Sequence, residues 1–78
     1  MWKVWYGLEA ANYLADNGAL VSSLFFAMES LAEQEGLPAT GDFQEVEEMI
    51  FWRVQHHLVI YERLVEKQVV QINVIKPA

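Results

Sequence analysis

Five polar side chains in the second half of the chain, Arg53, His56, His57, Tyr61 and Arg63, are of the types that cleave a phosphodiester. Attack of a ribose 2′-hydroxyl on its phosphate needs a base, a cation to hold the developing charge, and an acid for the leaving oxygen. Histidine, arginine and tyrosine can fill those roles. Written as a strand, HLVIYER places His57, Tyr61 and Arg63 on one face and Glu62 on the other. The spacing does not bring a base, a cation and an acid to one point. Arg53, His57, Tyr61 and Arg63 are therefore candidate residues without a defined catalytic geometry. Each also has a plainer role: Tyr61 as a sheet residue packing its ring, Arg53 and Arg63 as surface cations beside glutamates.

Other chemistries find less support. His56 and His57 are adjacent, and neighbours on a strand point to opposite faces, so they do not share a metal ion. Glu45, Glu47 and Glu48 in EVEE could gather a cation, but such a run more simply makes a solvated face or a helix N-terminus. Trp2, Trp5 and Trp52 are of the type that stacks on nucleobases. Their setting is acidic: residues 1–50 hold nine acids and only Lys3, and the whole chain carries −6. Phosphate backbones bind to clustered Lys and Arg, so direct binding of nucleic acid is not expected and the tryptophans suit a core or a protein interface. No metal or cofactor is expected.

The elements that would position these residues follow from periodicity. MWKVWY is a strand, broken by Gly7. LEAANYLADNG is a helix with Leu8, Ala11 and Leu14 on one face and a stop at Asn17-Gly18. ALVSSLFFAMESLAEQEG is a second helix, its stripe formed by Leu20, Leu24, Ala27, Met28 and Leu31. LPATGD is a loop, and FQEVEEM fits either a helical turn or an extended segment. MIFWRV, HLVIYERL and QVVQINVIK are three strands, the last two joined by a turn at Glu66-Lys67. The expected fold is one α+β domain, β-α-α-β-β-β, with a helical hairpin on one face of a mostly antiparallel sheet of about four strands. Leu24, Met28, Leu31, Leu58, Ile60, Ile72 and Val74 are its expected core.

That order of elements resembles the RelE/ParE superfamily, the toxins of toxin–antitoxin pairs. The likeness is carried by WRV, HHLVIYERL and KQVVQINVI, matching a strand with Arg, a strand with an aliphatic-Tyr pair and an aliphatic last strand. In the first half, the Lys and aromatics of the first strand, YLADNG and GLPATG fit the same pattern. The resemblance implies a toxin-fold protein held by an antitoxin-like partner, with the ribosome or DNA gyrase as target. In ribonuclease members, basic residues lie on the central strands and a basic or aromatic residue beyond the last one. Arg53 matches a basic strand position, whereas Leu58 stands where Arg is common and only Lys76, Pro77 and Ala78 follow the last strand. The expectation is a chain acting by protein binding, without messenger RNA cleavage. The alternative is a non-catalytic module that kept the fold and associates with itself, and a minor alternative is a ribosome-dependent messenger RNA endonuclease.

Composition supports association. Apolar residues make up 54% of only 78, and there is no cysteine to reinforce the fold. Small domains have little interior per residue, so surplus apolar surface is buried against a copy or a partner. The uncharged run VVQINVI, read as an edge strand, offers a pairing template. The expected interaction surface comprises Trp2, Trp5, Trp52, Val69, Gln71, Asn73 and Ile75, used by a homodimer or by an antitoxin-like protein. The chain has neither a membrane span nor a leader-like apolar start, so a cytoplasmic location is expected.

Overall fold

The computed structural model describes residues 1–78. Strand β1 (Lys3–Tyr6) leads into helix α1 (Leu8–Asn17), and a 3-10 turn over Gly18–Val21 connects it to helix α2 (Ser22–Glu29). A second 3-10 turn (Ser30–Glu33) ends the helical layer. Strands β2 (Asp42–Val46), β3 (Met49–Val54), β4 (His57–Leu64) and β5 (Val69–Pro77) follow as a meander. The sheet has five strands in the order β1-β5-β4-β3-β2, with β1 parallel to β5 and the other pairs antiparallel. The α+β class with helices on one face is as expected. The fifth strand is the ambiguous segment before β3, which pairs with β3 as a hairpin across a turn at Glu47-Glu48.

The core lies between the helical layer and one sheet face. Val21, Leu24, Met28 and Leu31 supply the helical side at alternating spacings of three and four, the signature of one helical stripe. Ile50, Trp52, Val54, Val59, Tyr61, Val70, Ile72 and Ile75 supply the sheet side. Helix α1 turns a different face inward than expected: Ala10 is buried, with Tyr13 and Leu14 packed beside it, while Leu8 and Ala11 are exposed. Leu20 is also exposed, because the 3-10 turn rotates it out of the stripe. The stop at Asn17-Gly18 involves no left-handed residue; the Asn17 amide Nδ2–H donates to the Tyr13 carbonyl at 2.9 Å, and the chain tightens into the 3-10 turn.

Strand β4 carries the other correction. Val59 and Tyr61 enter the core, whereas Leu58 and Ile60 lie half-buried on the opposite face. Apolar residues occupy both parities of LVIY, so alternation could not choose between them. In β5 a bulge intervenes. Ile60 pairs with Val74 but Tyr61 pairs with Ile72, leaving Asn73 as the extra residue. The bulge switches the faces of the strand, so Ile72 and Ile75 point into the core and Val74 points away.

Gly41, at φ +77°, turns the chain into β2. A Cβ there would collide with the Arg53 carbonyl oxygen, so no side chain fits at this position.

Candidate functional site

The candidate catalytic residues divide between the two faces of the sheet. Arg53 is exposed on the uncovered face. His57, Tyr61 and Arg63 share the helix-covered face, as the strand reading required, but each is occupied there.

Tyr61 is fully buried, its ring edge-on to Trp52 at 6.3 Å, and its hydroxyl donates to the Gly36 carbonyl at 2.7 Å. Burial pushes its pKa far above the usual tyrosine value, the Arg63 charge opposes this and the Glu45 charge adds to it. Such a phenol is a poor proton donor to a leaving group. His57 is held on both ring nitrogens. Nδ1 lies 2.8 Å from the Gln55 carbonyl, which can only accept, so Nδ1 carries the proton in the neutral ring. Nε2 then accepts from the Tyr13 hydroxyl at 2.8 Å. Arg63 donates from Nε to the Glu35 carbonyl at 2.8 Å and stacks its guanidinium over Trp2 at 5.4 Å. Its contacts fasten the loop after α2 to the sheet. No group of three acidic or histidine side chains gathers at one point.

The expected interaction surface is rearranged. Strand β5 is flanked by β4 along its length and by β1 over Val69–Ile72, so only Asn73–Pro77 keep a side without a strand neighbour. Val69, Ile75 and Trp52 are buried, at 5%, 3% and 1% exposure. Trp52 donates its indole N–H to the Thr40 carbonyl at 2.7 Å, which seals the end of the core. Trp2 packs against the core beneath Arg63. Asn73, the bulged residue, donates from Nδ2 to Glu62 at 3.2 Å. Trp5, half exposed, and the half-buried Gln71 remain together on the uncovered face as cross-strand partners.

That uncovered face is the feature sequence reasoning missed. Strand registers place its side chains in rows. Asp42, Arg53, Leu58 and Lys76 form one row across β2, β3, β4 and β5. Gln44, Phe51, Ile60 and Val74 form the next. Val46, Met49, Glu62, Gln71 and Trp5 form the third. Phe51, Val46 and Trp5 are exposed, and Met49, Leu58, Ile60 and Val74 are half-buried. A hollow of about 480 Å³ opens at its β2 side, lined by Asp42, Phe43, Gln44, Phe51, Arg53 and Leu58. The clue in the sequence was the apolar content of both parities in β4, which a sheet covered on one side does not need. The helical surface carries exposed Leu8 and Leu20 and a smaller aromatic cluster in which Phe25 lies against both Tyr6 and Phe26, at centroid distances of 6.0 and 6.4 Å. No helix is long and apolar enough to cross a membrane. Comparison with protein families, curated proteins and solved structures finds no match to this chain, so its functional reading stands on the geometry of this face.

Proposed function

We propose that this chain is a protein-binding module whose contact surface is the uncovered face of the sheet, and that it is not a nuclease. One observation carries the reading. His57, Tyr61 and Arg63 are spent on internal hydrogen bonds and His56 stands exposed on the hairpin turn, while an apolar row, Phe51, Ile60 and Val74, is left without cover from this chain. Continuous apolar surface flanked by polar residues marks contact sites. The test is a photo-crosslinking residue at Phe51 or Ile60 in the native host, with Glu9 on the exposed side of α1 as control. Protein adducts at the sheet positions and none at Glu9 are expected. Absence of adducts at Phe51 and Ile60 overturns the reading.

The residue likeness to RelE/ParE toxins supports a narrower form of the same proposal. In that form the chain is a cytoplasmic toxin-fold protein of a toxin–antitoxin module, acts by protein binding, and is held by an antitoxin-like partner. Inducible expression in bacteria, with growth, translation and DNA supercoiling followed, tests it. A block in any of these supports the toxin form; unimpaired growth removes it and leaves the non-catalytic module.

A further inference from the structure

We infer that the occupant of the uncovered face is a second copy of this chain, packed sheet on sheet with its strands antiparallel to those of the first. This rests on the reading that the face binds protein, and adds the identity of the partner.

The charges on the face point to that partner. The chain as a whole is strongly acidic, with five basic and eleven acidic residues. The face is different. Lys3, Arg53 and Lys76 lie on it, with only Asp42 and Glu62 in opposition. Two copies therefore meet there without bringing their acidic excess together. The arrangement is also self-complementary. Arg53 and Lys76 flank Leu58 in the first row, and Glu62 occupies the same strand as Leu58 in the third row. The apolar row of Phe51, Ile60 and Val74 lies between them. A two-fold axis along that middle row, between the sheets, lays the apolar row on itself and exchanges the outer two. Glu62 of the partner subunit then falls over Leu58, between Arg53 and Lys76, and the same cluster recurs on the other side. An isologous interface has this property, since each patch must complement itself.

The size is sufficient. Five strands about 4.8 Å apart and about 20 Å long give a platform of about 500 Å² in projection. Side-chain relief raises the accessible area toward the roughly 800 Å² per partner of a standard stable interface.

The test uses sedimentation of the full chain at high micromolar concentration. A dimer of twice the 9.0 kDa chain mass is expected. Glu62→Arg should weaken it at least about tenfold, because it sets a cation between two others. Adding Arg53→Glu and Lys76→Glu to that variant should restore the dimer. Circular dichroism checks that each variant is folded. If the charge variants misfold, a photo-crosslinking residue placed at Ile60 in a chain otherwise unchanged tests the same contact, and absence of a chain-to-chain adduct overturns the inference. A monomeric wild type, or a dimer indifferent to Glu62→Arg, also overturns it. Adducts from Phe51 or Ile60 to a different protein, with the chain itself monomeric, overturn self-pairing and leave the binding reading standing. No adducts of any kind overturn both.

Discussion

Tyr61 shows how a residue of catalytic type becomes structural. Its ring fills the core against Trp52, and its hydroxyl satisfies the Gly36 carbonyl, which ties the loop after the helices to the sheet. Tyr61→Phe should cost about 1–2 kcal/mol in chemical denaturation, the loss of one buried hydrogen bond with the acceptor left unpaired. Tyr6 is a second such phenol. Burial, a 2.5 Å hydrogen bond donated to Glu29 and the charge of that carboxylate raise its pKa well above 10.0. The sign of the pH effect follows for both. Unfolded phenols release their protons near pH 10.0, while the native protein keeps them. Stability is thus level below that pH and falls as pH rises through and beyond it. Denaturation midpoints on either side of pH 10 should show the decline, and Tyr6→Phe should flatten it. Midpoints in Tyr6→Phe that fall as steeply as in the parent would count against this role for Tyr6. Leu24 and Ile60 make a further contrast. Leu24 is in the core and Ile60 is half-buried on the open face. Leu24→Ala should cost about 2–5 kcal/mol through the cavity it leaves, and Ile60→Ala clearly less.

At the scale of elements, the β3–β4 hairpin is the most constrained joint. Its loop is two residues, Gln55 and His56, with φ of 50° and 62°. Both residues therefore sit in the left-handed region, as a type I′ turn requires, and neither is of the type that adopts it freely. The surrounding strand pairs hold them there. Replacing Gln55 and His56 with Asn and Gly should stabilise the protein by about 1 kcal/mol, since left-handed backbone costs a side-chain-bearing residue about that much. The check is a higher denaturant midpoint at unchanged slope. This hairpin could be placed from sequence, because MIFWRV and HLVIYERL are strong strands on either side of it. The bulge at Asn73 could not. Nothing in QVVQINVIK marks the extra residue, which falls just past Ile72, where the pairing with β1 ends and that with β4 continues.

For the whole molecule, the proposal that the chain is not a nuclease rests on the internal hydrogen bonds that hold His57, Tyr61 and Arg63. His57, Tyr61 and Arg63 lie on the covered face and each is held there by a hydrogen bond, while Arg53 lies on the other face and meets His56 and His57 along an open hollow at the end of the β3–β4 hairpin. Purified protein should leave messenger RNA intact, alone or with ribosomes. Cleavage that disappears in Arg53→Ala would promote the enzyme reading and displace the binding module. The face bearing Arg53 is left uncovered by this chain, and its near-balanced charge on an acidic chain is what motivates the proposed self-pairing.

Local patterning by itself determined the order of the elements other than β2, most of their boundaries, the helical stripe of Leu24, Met28 and Leu31, and the strand face shared by His57, Tyr61 and Arg63. These depend on the periods 3.6 and 2, which are properties of the backbone and are written into neighbouring residues. Only the tertiary structure decided which face of β4 is covered, that β1 flanks β5 over Val69–Ile72, and that Trp52, Val69 and Ile75 are buried. The reason is physical. Both parities of β4 are apolar, so its face is chosen by where the helices lie, and an edge is defined by the strand that docks beside it. Strand β1 docks beside β5 from the far end of the chain, and no local pattern in either segment records that meeting.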